Sequence, residues 1–263
     1  GDFGKATGRD LMALARDWQK RLAAVKVDSA DLARARYFFD RPSIFGKMCA
    51  RAVARVDDRT RLLLQQRDYQ GALTSARRSL EMSPRPVAIM QAAAALLQLG
   101  RYDEVVAFAM PKMSDTLAER SLAPLHLTVG DALWMLGDWV RAAAHYERLA
   151  GLRLSRAVDE AALLRLRALR QRPQDSSVRR LLAVDVADSV ALTELQALLQ
   201  QRGRDKDLIR YLLAKRLIRT KHHQEAIGVL KQIPRLDSIF LDAQRERMLA
   251  WSYYQLKEFR KAK

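Results

Sequence analysis

The residues of this 263-residue chain whose types admit chemistry are four histidines, a glycine-rich opening and adjacent pairs of acids such as Asp57–Asp58 and Asp159–Glu160. His222 and His223 are neighbours. Adjacent residues on a helix point about 100° apart, so the two do not converge on one metal and read as a solvated turn. His126 and His145 fall inside apolar helical stretches, and no Cys–His–Asp or Ser–His–Asp arrangement stands out around them. The opening GDFGKATG holds three glycines and one lysine, yet it is not GxxxxGK[ST] and no strand precedes it, so it is not a phosphate loop. Asp57–Asp58 and Asp159–Glu160 are expected at helix starts, where the helix dipole favours acids. No catalytic residue, no metal site and no cofactor is expected, and the chain is read as non-enzymatic.

The elements holding these residues are helical. A hydrophobic content of 49% is ample for a core, and only 11 Gly and 7 Pro argue for long helices joined by short connections. Ala, Leu, Arg and Gln dominate, all good helix formers, while strand-like alternation is almost absent. The net charge of +17 is compatible with an acidic partner: nucleic acid, a membrane surface or an acidic protein. It is made by 35 Arg against 12 Lys, a bias that a GC-rich genome produces without selection for binding. Most of these Arg alternate with Asp and Glu on polar helix faces and read as solvated. Cys49 is alone, so it forms no internal disulfide and leaves the compartment unknown; it is expected to be a small core residue. No run approaches the roughly 20 apolar residues of a membrane span. The longest, Val87–Leu99, contains Gln91 and Gln98.

Five segments end one helix and begin the next in nearly the same words. They are LLLQQRDYQGAL (Leu62–Leu73), LLQLGRYDEVV (Leu96–Val106), LWMLGDWVRAA (Leu133–Ala143), LIRTKHHQEAI (Leu217–Ile227) and YYQLKEFRKA (Tyr253–Ala262). Each has an apolar helix end, a polar turn, an aromatic or His, then a small residue three places later. Those small residues, Ala72, Val105, Ala142, Ala226 and Ala262, are spaced by 33, 37, 84 and 36 positions, and the 84 has room for two degenerate units. A helix–turn–helix unit of about 34 residues resembles the tetratricopeptide repeat. Gly130, Trp139, Ala142 and Tyr146 carry the resemblance in the third unit. Elsewhere it rests on Tyr69, Ala72 and Pro84; Ala93, Gly100 and Tyr102; Ala214 and Ala226, with His223 in place of the aromatic; and Ala250, Phe259 and Ala262. The resemblance implies an all-α fold, a right-handed α-α superhelix of helical hairpins. Small residues let the helices approach, and the aromatic after the turn fills the gap between pairs. Ala157–Gly203 departs from the pattern. AVDEAALLRLRALRQRP reads as a helix ending before Pro173, Ser176 or Ser177 as the next N-cap, and VRRLLAVDVA and SVALTELQALLQQRG as further helices, the last closed by Gly203.

The first 27 residues do not fit the repeat. Asp10 is a good N-cap for a helix with an apolar stripe of Leu11, Leu14, Ala15, Trp18 and Leu22. With Phe3, Ala6 and Gly8, this stretch resembles the closing segment of gluzincin-type zinc peptidase domains. That resemblance implies a peptidase domain upstream. The zinc motif HExxH does not occur in this chain, so no zinc ligand is carried over. The expected organisation is therefore 1–27 as the tail of a preceding domain or a capping helix, 28–156 as a first sub-array, 157–203 as degenerate repeats, and 204–263 as a second, truncated sub-array. The start at Gly1 and the stop just after Ala262 read as an excised C-terminal piece of a larger bacterial protein.

In the tetratricopeptide class the first helix of each pair lines a concave groove. The resemblance assigns Arg61, Leu64 and Gln65; Met90, Ala94, Leu97 and Gln98; and Leu127, Asp131, Trp134 and Met135 to that face. Tyr211, Lys215, Ile218 and Arg219, then Arg247, Trp251 and Tyr254, follow. One helical step in this register moves Trp134 and Trp251 from groove to core. The expected function is a scaffold binding a protein or peptide. Alternatives are an accessory domain contacting its own upstream peptidase domain, and a basic solenoid gripping nucleic acid. Residues 151–180 hold 8 Arg against 3 acids, and 202–221 hold 8 basic against 2 acidic residues. However, the basic residues are scattered and no repeating base-reading pair is seen, which disfavours nucleic acid. The apolar face of the last unit is expected to pack on a missing remainder or on a second copy.

Overall fold

A computed structural model describes residues 8, 10–24, 49–113, 119–234, 236 and 238–258. All regular structure among them is α-helical. Two compact units are distinguished, residues 1–52 and 53–263.

In the first unit one helix is described, α1 (Leu11–Ala24). The Asp10 carboxylate accepts the Ala13 amide at 3.3 Å, the N-cap its sequence calls for. Leu14 is half-buried, while Met12, Trp18 and Leu22 are exposed. Phe3 and Ala6, which help carry the peptidase resemblance, lie outside the described residues. Cys49 is exposed, contrary to the core position expected of it, because it precedes the next helix instead of lying on that helix's apolar face.

From Ala50 the helices run α2 (Ala50–Gln65), α3 (Tyr69–Met82), α4 (Pro86–Gln98), α5 (Tyr102–Met113), the single turn α6 (Glu119–Leu122), α7 (Leu125–Met135) and α8 (Trp139–Leu152). Then follow α9 (Arg156–Gln171), α10 (Ser176–Ala183), α11 (Asp188–Gln200), α12 (Lys206–Arg219), α13 (His223–Lys231) and α14 (Ile239–Gln255). Neighbours in sequence pack as antiparallel pairs, notably α3 on α4, α7 on α8 and α12 on α13. A second set of contacts joins α4 to α7, α7 to α9, α9 to α12 and α12 to α14. The second unit is thus an all-α, solenoid-like stack in which one helix of each pair forms a continuous row.

All five repeated turns close in the same way. Arg67, Gly100, Gly137, Lys221 and Lys257 have φ of 63°, 73°, 87°, 66° and 60°. The next amide reaches back across each helix end: Asp68 to Leu63 O, Arg101 to Leu96 O, Asp138 to Leu133 O, His222 to Leu217 O and Glu258 to Tyr253 O, at 2.8–3.0 Å. This is the Schellman pattern, which satisfies carbonyls the helix leaves unpaired. Three of the five turns achieve it with Arg or Lys, so the left-handed strain is met by bonding and not by glycine alone. Asp68 and Asp138 then cap the following helices through the Gly71 and Arg141 amides at 2.9 and 3.1 Å. The small residues Ala72, Val105, Ala142 and Ala226 are fully buried, and Gly130 with them. Tyr102 packs half-buried against the core, but Trp139 stays 40% exposed and does not fill a gap between pairs. Phe259 and Ala262 lie outside the described residues.

The middle region differs from expectation in two places. The cap of α10 is Asp175, which accepts the Val178 amide at 3.2 Å, and not Ser176 or Ser177. That helix stops at Ala183, and the chain from Val184 to Ala187 turns extended. Asp57 and Asp58 also sit mid-helix, not at a helix start; Asp57 accepts the Ser79 hydroxyl at 2.5 Å and pairs with Arg85, tying α2 to the α3–α4 connection.

The arginines are not simply a solvated face. Arg165 pairs with Asp131, Arg167 with Asp205 at 2.6 Å, Arg216 with Asp188 at 3.0 Å, and Arg204 with Asp175, each bridging elements distant in sequence.

Candidate functional site

Of the residues assigned to the concave face, several are already engaged by the chain's own middle region. The Asp131 side chain is only 4% exposed. It accepts Arg165 Nε and Nη2 at 2.5 and 2.9 Å and the Tyr146 hydroxyl at 2.7 Å. Arg165 also donates to Leu182 O at 2.5 Å, fastening α10 to this pair. Trp134 is fully buried; its Nε1 donates to Pro173 O at 2.8 Å, and its own carbonyl accepts Arg179 Nη1 at 3.0 Å. The Gln98 Oε1 accepts the Asp185 amide at 2.8 Å. The Asp185 carboxylate in turn takes Arg67 at 2.9 and 3.2 Å and the Tyr69 hydroxyl at 3.1 Å. Pro173 and Arg179 therefore engage Trp134, and Asp185 engages Gln98, at positions expected to be an open groove. The core alternative holds for Trp134, and Asp131 is corrected with it.

Tyr211 is likewise buried, its hydroxyl donating to Glu160 at 2.6 Å, so it too leaves the groove set. Arg61 and Gln65 are exposed, Arg61 being paired with Asp58 on its own helix, and Met90 is half-buried against the core. Arg219 lies on Asp188 and lines a smaller cavity of about 220 Å³ between α9, α10, α11 and α12.

Of the assigned residues, Lys215, Arg247, Trp251 and Tyr254 come together. They line a groove of about 610 Å³ between α12 and α14, with Ile218 and Met248 on its floor. Arg247, Trp251 and Tyr254 follow one another at i, i+4 and i+7, which puts them on one stripe of α14. Ser238 starts that helix by accepting the Leu241 amide at 3.4 Å. The Trp251 and Tyr254 rings stack at 5.7 Å and 21°, yet the two residues are 51% and 54% exposed. Lys215 is held toward Glu160 at 2.8 Å, and Arg247 reaches Gln244 at 3.4 Å. Met248 was not among the assigned residues, although its spacing of three from Trp251 places it on the same face. His222 stands in an exposed turn against Thr220 at 2.9 Å, as expected of a solvated turn; His223 is half-buried.

Three tyrosines are held protonated. Burial, then Asp131, pushes Tyr146 well above its ordinary value. Burial, then Glu160, raises Tyr211, and burial, then Asp185, raises Tyr69. A raised folded-state pKa favours the protonated form, so this contribution is complete below the unfolded value of 10.0 and is lost as pH rises beyond it. Stability is expected to fall above pH 10, by up to roughly 1.4 kcal/mol per pH unit for each of the two more deeply buried tyrosines, Tyr146 and Tyr211. Urea melts from pH 8 to 11.5 should steepen in that window for the wild type and flatten in Tyr146→Phe and Tyr211→Phe.

No family model matches the sequence, and no curated protein resembles it significantly. Among solved structures, the complex of the TPR2AB domain of yeast Sti1 with pHSP90 is similar with a TM-score of 0.42 and 14% identity, over 81% of this chain and 88% of that one. At this identity and score the likeness carries nothing about ligands.

Proposed function

We propose that the chain is a non-catalytic helical-repeat scaffold that binds a protein segment in the groove between α12 and α14. The observation supporting this is the stacked, half-exposed Trp251–Tyr254 pair beside Arg247 and Lys215. Buried anchors in recognition surfaces are enriched in Trp, Tyr and Arg, and an exposed aromatic pair costs hydration unless something covers it. The partner segment presents an apolar or aromatic side chain to the ring pair and acidic residues to Arg247 and Lys215.

The test is selection of peptides by display against the wild-type chain, followed by anisotropy with a selected peptide. Trp251→Ala is expected to cost about 2 kcal/mol, roughly thirtyfold in Kd, and Arg247→Glu a comparable amount. Val140→Ser, at a residue 82% exposed, is the unaffected control. Unchanged binding by both groove variants would remove the reading. Nucleic acid is the weaker alternative, because arginines such as Arg165, Arg167 and Arg204 spend their charge on internal carboxylates. An accessory domain of a zinc peptidase is supported by the exposed Trp18 and Leu22 of α1, residues that pack on a catalytic lobe in that family. An upstream reading frame without HExxH would end it.

A further inference from the structure

His126 and His145 read in sequence as two unrelated helical residues, but the packing of α7 on α8 brings them together. Their Nδ1 atoms are 2.8 Å apart and their ring centroids 4.9 Å apart. Both rings line a cavity of about 340 Å³, and the same cavity is lined by Met110 and Met113, three residues apart on α5, and by Arg148. His126 is buried and His145 half-buried. Burial, then the charges of Arg141 and Arg148, lower the pKa of His145.

We propose that this cavity is a soft-metal site taking one cuprous ion on the imidazole nitrogens of His126 and His145 and the thioethers of Met110 and Met113. The donor set selects the ion. Thioether sulfur with imidazole nitrogen suits Cu(I), whereas Mg²⁺ and Ca²⁺ require oxygen ligands. Among the described residues no group of three or more His, Cys, Asp or Glu is placed to hold a metal, so a harder divalent ion has no competing set.

The geometry requires a small adjustment. With metal–nitrogen bonds of roughly 2.0–2.1 Å, a tetrahedral ion holds its two nitrogens about 3.4 Å apart, so the pair opens by about 0.6 Å. The proton now shared between the two Nδ1 atoms moves to Nε2 of its own ring, so each imidazole keeps one proton and none is released. Cys49 is an exposed thiol and an alternative Cu(I) ligand, so the experiment begins from Cys49→Ser. That protein is titrated anaerobically with Cu(I) in competition with bicinchoninate. It is expected to take one equivalent. Met110→Leu/Met113→Leu, which keeps side-chain volume, and His145→Ala should each weaken binding at least tenfold with an unchanged helical circular dichroism spectrum. X-ray absorption of the complex should contain both nitrogen and sulfur scatterers. Capture of no copper by Cys49→Ser, affinity in both cavity variants equal to that of Cys49→Ser, or Zn²⁺ bound as tightly as Cu(I) would each overturn the assignment.

Discussion

Arg165→Ala is expected to destabilise the chain by about 3–5 kcal/mol, a large fraction of the stability of an ordinary domain. The Arg165 and Asp131 side chains are only 8% and 4% exposed, so removing the guanidinium leaves a carboxylate with little access to water. The loss does not stop at the pair. The Tyr146 hydroxyl shares the same carboxylate, and Leu182 O loses a donor that fastens the end of α10. Urea denaturation followed by circular dichroism measures the drop, and limited proteolysis should find new cleavage between residues 172 and 187. Replacing both partners separates the worth of the pair from the harm of breaking it. Asp131→Leu/Arg165→Met, combined with Tyr146→Phe, should recover most of the loss, because apolar groups of similar size leave no buried charge. A loss under about 1 kcal/mol for Arg165→Ala would mean that water reaches Asp131 in solution.

Gly130→Ala is expected to cost about 2–3 kcal/mol, at the upper end for overpacking a core. A Cβ on Gly130 would stand 2.5 Å from Tyr146 Cε1 and 3.0 Å from Cδ1. The ring cannot swing aside, because Tyr146 is fully buried and its hydroxyl is bound to Asp131. Removing only the hydroxyl, as in Tyr146→Phe, leaves the clash in place. Gly228→Ala is the opposite case. That glycine lies inside α13, and a Cβ added there would meet nothing within 4 Å, so the substitution should gain up to about 1 kcal/mol from helix propensity. Thermal melts should move in opposite directions for the two glycines. A melt for Gly130→Ala equal to wild type would show that α7 and α8 slide apart without penalty.

The repeat itself was written locally. Each turn needs an apolar helix end, a residue that tolerates the left-handed region and a small residue on the next helix, and all of these lie within about a dozen consecutive positions. Local hydrogen bonds, such as Asp138 to Leu133 O, and the close approach of Ala142 then follow from residue type and spacing. The same spacing assigned a face to each helix, and on α14 helix periodicity alone puts Arg247, Trp251 and Tyr254 in line along one groove.

Periodicity does not say what lies opposite a face. Asp131, Trp134 and Gln98 have the spacing of groove residues, but Arg165 on α9 engages the first and the segment from Pro173 to Asp185 returns to bind the other two. That contact spans up to 118 positions between Arg67 and Asp185, and its partners carry no shared local pattern. The meeting of His126 and His145 is of the same kind, since it depends on how closely Gly130 lets two helices nest. Helices and turns are settled by bonds between near neighbours. Which polar side chains end up buried together, and which stretch of the inner row stays open, is settled by packing among distant segments, where shape and desolvation are properties of the whole stack.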